Sequence, residues 1–594
     1  MRILPLAAAV AALLVPAAPA YAGDPIMPLS DVQAGMHCTG YSVVRGTAIS
    51  SFDVNVVDVA DGFGLPVAPA ILVTVSGPAV DATGIGPGFS GSPIYCPDSA
   101  GVMRNIGAIS ESVGAYGGKE ALATPIESIL ATPVDAPAKP AGPSAEKRPK
   151  SVRATRLSRA AWQRIERKAR PLTSPLTVSG LSGNVGRALE AAGAKAGHPV
   201  LATPAGPLGT FPPQTLRPGS AVGVGYSTGD IEYGAIGTVT YVDGDKVWAF
   251  GHPLEGVGGR ALLLQDAYVY DVIDNPIGGG GLETYKLASL GHDLGTLGDD
   301  ALTGVAGRTG VFPHTVPVHD LARDVDAKHD SNIDLRVADE AALDLPSGSS
   351  WTSALAPLAV VQAATNVFDS TPARATGDVC ARIAVAELSK PMRFCNRYVS
   401  TSAEMSDDGS LGNAVTTSAA SDLAQALGDI DAYTGRPPDV TQVSVFMKQR
   451  RTAEQAFIRH VSLPRRVRAG HDTRVKVTLQ QVRGDRFTRT YSLHIPASAP
   501  AGRHTLQFVG HDADEGDDAL TTIILDTGGD STPGGDPGPR TLHALAKEVA
   551  GIHRYDGVRL RIGHHVMKAF RDDAFRISGL DDATVRILKG HARG

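Results

Sequence analysis

Ala235-Ile236-Gly237-Thr238-Val239-Thr240-Tyr241-Val242 runs into the turn Asp243-Gly244-Asp245 and returns through Lys246 to Phe250. β-branched and aromatic residues flank a glycine-bearing turn, the pattern of a β-hairpin. Working outward, the whole block from about Gly219 to Val318 keeps this character. Upstream, Met36 to Val59 and Ile71 to Val75 are rich in Val, Ile and Thr between Gly-Pro turns, and Ile106 to Ser110 repeats the signal. Downstream, Val475, Val477 and Leu479 alternate with polar residues, as do Leu493 with Ile495 and Leu506 with Phe508, which predicts a small β-sandwich over 436–526. The fold class expected from these runs is mainly β.

A chain of 594 residues is too long for one core, and 43% hydrophobic content suffices to bury several. Arg2, an apolar run from Ile3 to Val15 and Ala20-Tyr21-Ala22 form a secretory signal pattern over 1–22, with Gly23 as the expected mature end. The run is shorter than the roughly 20 residues that span a bilayer. An extracytoplasmic bacterial protein with no membrane anchor after cleavage is therefore expected. The net charge of −6 argues against a nucleic-acid partner, whose phosphates require a basic surface. No phosphate-binding glycine loop and no His-Glu-x-x-His zinc motif occurs, and no cofactor is expected. Four cysteines allow three pairings. Cys38 with Cys96 and Cys380 with Cys395 are favoured because each pair lies inside one expected domain, whereas zinc lacks the spacing.

The expected order of units is a serine-bearing half at 23–131, a Pro-rich linker at 132–152 and a histidine-bearing half at 153–325. A mixed α/β region at 326–435, the sandwich, a Gly/Pro/Asp tether at 527–540 and a small segment at 541–594 follow. Leu157, Ala161, Trp162 and Ile165 recur at helical spacing just after the linker. Arg465, Arg466 and Arg468 read as a solvated face of the sandwich.

Gly86-Pro87-Gly88-Phe89-Ser90-Gly91-Ser92-Pro93-Ile94-Tyr95 is the stretch best suited to chemistry. A nucleophilic serine must project from a tight turn whose amides converge on an oxyanion, and Gly88 and Gly91 allow the bend. By spacing alone the stretch also suits an ordinary turn. A serine needs a base, and His252, locked in Phe250-Gly251-His252-Pro253 at the hairpin's end, is better constrained than His37, His292 or His314.

These segments resemble the SpoIVB-type serine peptidases, a family with a chymotrypsin-like double β-barrel. Gly88 through Ile94 is similar to the family's Gly-Met-Ser-Gly-Ser-Pro-Ile motif, with Phe89 in the Met place. Gly107-Ala108-Ile109 and Thr124-Pro125-Ile126-Glu127 resemble the strand and helix start that follow it. Gly237 to Thr240 followed by Gly251-His252 resembles the histidine motif, and Lys286-Leu287 and Leu294-Gly295-Thr296 also match. The resemblance covers about residues 35–131 and 219–318. It implies Ser90 as nucleophile, His252 as general base and then acid, the amides of Gly88 and Ser90 as oxyanion hole, and a protein or peptide substrate. The order of the two halves is reversed relative to the sporulation peptidase, and no PDZ domain is recognisable. Where the family has its acid, this chain has Val75 and Ser76. Asp81 is the nearest upstream acid, with Asp53, Asp266 and Asp271 as other choices. The contrasting reading is an inactive peptidase-like scaffold whose sandwich meets a cell-envelope partner.

Overall fold

Between Met36 and Pro125 the β-branched residues are spent on six strands, β1 (His37–Arg45), β2 (Ala48–Ala60), β3 (Ala70–Ser76), β4 (Pro93–Pro97), β5 (Met103–Val113) and β6 (Glu120–Pro125). They pair antiparallel in the order β1-β2-β3-β6-β5-β4, and β4 returns to β1, so the sheet closes into a barrel. Alternation along β2 and β3 turns Val54, Val56, Ile71 and Val73 inward, where they meet Ile94, Ile106 and Ile109. The Cys38–Cys96 disulfide ties β1 to β4. Helix α1 (Ile126–Leu130) begins where Thr124-Pro125-Ile126-Glu127 places it.

The computed structural model describes residues 23–589 apart from 61–68, 115–117, 136–156, 173–174, 197–198, 205–210, 276–283, 344–349, 369–371, 373, 402–413, 511–538, 553–556 and 563–564. The signal pattern at 1–22, most of the Pro-rich linker and most of the tether lie outside the described residues. Helix α2 (Arg159–Lys168) is capped by the Ser158 hydroxyl and leads into β7 (Ala169–Pro171). Both return to the first barrel. Trp162 is buried with Leu72, Val113 and Leu122, and its indole N–H donates to Asp58 at 3.1 Å. The expected boundary at 153 is therefore too early, because the amphipathic face of α2 covers the serine-bearing half. Strand β4 begins opposite Ala108, leaving the last residues of β5 with an open edge, and β7 pairs there antiparallel.

β8 (Leu176–Ser179), α3 (Gly183–Ala196) and β9 (Val200–Ala202) lead to the second ring. Its strands are β10 (Ala221–Gly229), β11 (Glu232–Asp243), β12 (Lys246–Ala249), β13 (Gly258–Asp274), β14 (Thr284–Ala301) and β15 (Gly304–Thr309). The order is β10-β11-β12-β15-β14-β13, all antiparallel, and β13 pairs back onto β10. Both rings thus run first, second, third, sixth, fifth, fourth, the repeated Greek-key order of a double barrel. The hairpin at 235–250 supplies the second and third strands of its ring.

The sheet continues from β10 through β17 (His329–Ala338), β16 (Thr315–Asp324), β20 (Val440–Arg450), β18 (Ala375–Val385) and β19 (Met392–Ser400). The apolar helices α4 (Trp351–Asn366) and α5 (Ala414–Asp431) pack on it, and Cys380 faces Cys395 across β18 and β19 in the second disulfide. The sandwich does not coincide with 436–526. β20 belongs to the large sheet, where Val443, Val445 and Met447 are buried. One sandwich sheet holds β21 (Gln455–Ser462), β23 (Asp472–Gln481), β24 (Arg486–His494) and β28 (Arg576–Ser578). The facing sheet holds β22 (Arg466–Arg468), β25 (Gly502–Val509), β26 (Gly557–Ile562), β27 (His565–Arg571) and β29 (Leu580–Leu588). The terminal segment, expected as a separate unit, completes the sandwich because Leu506 and Phe508 of β25 require Val585 and Ile587 of β29 as cover.

Candidate functional site

Ser90 lies in the connection from the third to the fourth strand of the first ring, and His252 in the same connection of the second. The repeated topology therefore gives both residues one station, and the two connections meet. A Cβ on Gly91 would stand 2.0 Å from the Thr238 carbonyl oxygen and 2.5 Å from the Phe250 nitrogen, so only glycine lets the serine turn lie against the histidine turn. Gly91, at φ +88°, also donates its N–H to the Ile109 carbonyl at 2.8 Å. The Thr238 N–H donates to the Ser90 carbonyl at 2.8 Å, and the Thr240 hydroxyl to the Gly91 carbonyl at 2.9 Å.

Within the serine turn, carbonyls are tied back and amides are left free. The Phe89 carbonyl accepts from the Ser92 amide at 2.9 Å and the Ser92 hydroxyl at 2.6 Å, while the Pro87 carbonyl accepts from the Lys286 amide at 3.0 Å. In a trans peptide the N–H points opposite to the C=O. The Ser90 and Gly88 amides, which belong to those two peptides, are thereby aimed away from the tethered side. Among the described residues neither amide has an acceptor, as an oxyanion hole requires. The Ser90 hydroxyl is fully buried with no hydrogen-bond partner.

The histidine turn is strained. Phe250 has φ +69°, a conformation that costs a bulky residue of order 1–3 kcal/mol, and its ring is buried. His252 is 4% exposed, and its Nδ1 lies 2.7 Å from the Pro253 carbonyl. A carbonyl only accepts, so Nδ1 carries the proton and Nε2 keeps the lone pair a general base needs. Nε2 is buried and has no hydrogen-bond partner. Burial holds the His252 pKa below its ordinary value, opposed by the carbonyls of Pro253 and Leu172 and by the charge of Asp300. Asp300 fixes the loop beyond the ring by accepting from the amides of Leu254, Glu255 and Gly256 at 2.7, 2.8 and 2.8 Å. Arg260, buried 3.9 Å from Asp300, is bound in turn by Glu340 and Glu255.

Between the rings lies Lys286. Its ammonium is fully enclosed, donates to the hydroxyls of Ser42 at 2.7 Å and Thr238 at 3.2 Å, and rests 4.5 Å from the centre of the Phe89 ring. The Thr238 hydroxyl passes the contact on to the Gly88 carbonyl at 2.9 Å. Among the described residues no carboxylate compensates it, and desolvation lowers its pKa to about 7.

Of the acids considered from sequence, Asp53, Asp81 and Asp271 are exposed, and Asp81 pairs with Lys119 at 3.0 Å. Asp266 is engaged by the amides of Gln214 and His292 and by the His292 ring. Among the described residues none of the four bonds to His252. The Pro253 carbonyl sets the tautomer, and Asp300 sets the loop. Asp300 escaped sequence reasoning because a carboxylate that binds three loop amides leaves no spacing signature. The competing His37 pairs with Asn55, and His314 pairs with Asp339 at 2.9 Å, both exposed. Ser90 Oγ and His252 Nε2 are both buried, and neither has a hydrogen-bond partner among the described residues. No protein-family model, no curated protein and no solved structure matches the chain.

Proposed function

We propose that this chain is an exported serine endopeptidase of the SpoIVB type, in which Ser90 attacks a peptide carbonyl and His252 shuttles the proton through an acyl-enzyme. The observation that carries the reading is the meeting of two equivalent connections. One brings a buried serine beside two free amides, and the other a buried histidine whose Nε2 is unprotonated and unpartnered. Attack by Ser90 Oγ on the carbonyl carbon passes the hydroxyl proton to Nε2, the amides of Gly88 and Ser90 receive the oxyanion, and the imidazolium then protonates the leaving amine. Two disulfides support an oxidising, extracytoplasmic setting. Among the described residues no helix is long and apolar enough to cross a membrane.

The second reading, an inactive peptidase-like scaffold, is favoured by one observation: Ser90 Oγ and His252 Nε2 are not hydrogen-bonded to each other. Active sites without substrate often hold such contacts long, so the two readings are separated by reactivity. The chain from Gly23 onward and its Ser90→Ala variant are incubated with a serine-directed phosphonate and weighed intact. An adduct or fragments in the parent alone support the peptidase, and identical spectra from both proteins support the scaffold.

A further inference from the structure

The two disulfides stand in different surroundings. Cys38 and Cys96 are 6% and 0% exposed in the apolar core of the first ring. Cys380 and Cys395 are partly exposed, on the face of β18, β19 and β20 that turns away from α4 and α5. There the strand register sets three rows side by side: Arg393, Arg382 and Ser444; Cys395, Cys380 and Phe446; Arg397, Asp378 and Lys448. Arg450 follows one row on, beside Thr376. The sulfurs are thus ringed by cations on their own sheet, with Asp378 as the sole carboxylate in these rows. Asp378 is already committed, accepting from Arg397 Nε at 2.7 Å and from Arg450 Nη1 at 2.8 Å. Arg397 Nη1 is buried without a hydrogen-bond partner, and Arg382, Arg393 and Lys448 form no ion pair among the described residues. Arg393 turns instead to the disulfide, its Nη2 lying 3.3 Å from Cys395 Sγ and 3.7 Å from Cys380 Sγ. Both cysteines line an open cleft with Arg397, Lys448 and Arg450, and Asp572-Asp573 of the sandwich form its other side. Asp572 is occupied by Arg489 and by the amides of Ala574 and Phe575.

We propose that Cys380–Cys395 is a thiol–disulfide exchange site for a small thiol that carries a carboxylate group. The inference is independent of the peptidase reading. Exchange needs a thiolate nucleophile, an accessible sulfur and a leaving sulfur that can hold negative charge. The incoming thiolate bonds to Cys380 Sγ, and the bond to Cys395 Sγ breaks with its electron pair left on Cys395, the sulfur nearer Arg393. The carboxylate of the captured molecule pairs with Lys448 and the free Nη1 of Arg397. A second molecule of the same thiol, as its thiolate, attacks the captured sulfur and releases Cys380 as a thiolate. The two small thiols leave oxidised as one disulfide, and the two cysteines are left reduced, each taking up a proton from water. The strands stay together when the bond is open, because backbone pairing runs on both sides of the cysteines, from Ala375 with Ser400 to Ile383 with Met392.

The test treats the native chain from Gly23 onward with mercaptopropionate, mercaptoethanol or cysteamine, which are anionic, neutral and cationic. Opening of each disulfide is followed by alkylation, digestion and mass mapping. Each rate is divided by the same thiol's rate on an uncharged small disulfide, which removes its intrinsic nucleophilicity. Cys380–Cys395 should open at least about 10²-fold faster than Cys38–Cys96, with the first adduct on Cys380. At low salt the corrected rate of mercaptopropionate should exceed that of cysteamine at least about tenfold, and the gap should close as ionic strength rises. Lys448→Glu and Arg393→Gln alter exposed side chains and leave the core intact. The first should narrow the gap between the anionic and cationic thiols severalfold, and the second should slow all three thiols together. Equal corrected rates for the three thiols in the parent overturn the preference for a carboxylate-bearing thiol. A Cys380–Cys395 bond that opens no faster than Cys38–Cys96 overturns the exchange site itself.

Discussion

The turn that carries Ser90 and the turn that carries His252 occupy the same station in rings of the same strand order, yet they are held by opposite means. The serine turn is built from glycines and neutral hydrogen bonds, with a buried cation, Lys286, beneath it. The histidine turn is built from a strained aromatic residue and a carboxylate that gathers three amides, backed by a buried arginine. Under the proposed peptidase reading, the difference follows from what each must offer. A serine turn has to point amides at a developing negative charge, so its carbonyls need donors and its backbone needs freedom. A histidine turn has to hold one ring in one tautomer, so it needs acceptors and rigidity.

Variants that remove the chemistry from either turn bear hardest on this comparison. Ser90→Ala and His252→Ala should each lower turnover by about 10⁶-fold, and the double variant should lose hardly more than either single one, because the two residues act as a unit. Additive losses measured in steady-state kinetics would break the pairing of the two turns. Gly91→Ala comes next. Its Cβ would overlap the Thr238 carbonyl and the Phe250 nitrogen at a positive φ, so chemical denaturation should show a loss of at least about 3 kcal/mol, beyond the usual cost of a left-handed alanine.

Asp300→Asn sharpens the contrast from the histidine side. One of the amide contacts then faces an NH₂ group instead of an oxygen, which should cost about 1–3 kcal/mol and, through displacement of His252, on the order of 10²-fold in kcat. An unaffected kcat would show that the loop does not position the ring.

Lys286→Met leaves both turns chemically intact, and its signature is in the pH dependence of stability. The folded-state pKa, lowered to about 7, lies below the unfolded value of 10.5. Stability from the neutral amine is then full above the unfolded value and falls as pH drops toward about 7, because the unfolded chain takes up a proton that the folded chain refuses. Between those limits ΔG of unfolding should change by about 1.4 kcal/mol per pH unit from this residue, rising with pH. Denaturation curves of Lys286→Met should lack that slope, and equal slopes in the two proteins would mean the buried ammonium is not paying the expected desolvation cost.

How much of this was legible in the sequence depends on the range of the interactions. The hairpin at 235–250 was legible because period-two patterning is local, and the glycines around Ser90 signalled a turn for the same reason. The two disulfides follow from spacing within domains. By contrast, β20 carries the same alternation in a large sheet as in a sandwich, so its partner could not be read. β7 is only three residues long and contains Pro171, which gives no strand signal at all. Lys286 was visible as part of a motif match, but its enclosure depends on Ser42 and Thr238, which reach it from different strands of both rings. Asp300 reaches the histidine loop through backbone amides, which no side-chain pattern records.

The central claim is that the two turns form one reactive pair, and the most direct test is the rate at which a serine-directed phosphonate modifies Ser90 as a function of pH. It is measured in the chain from Gly23 onward, with and without His252→Ala. With His252 present, the rate should be flat near neutrality and fall only at a pH below the ordinary histidine value of 6.5, because burial lowers the pKa of the ring. Without it, modification should be slower by several orders of magnitude and lack that inflection. Equal rates and equal pH profiles in the two chains would contradict the account.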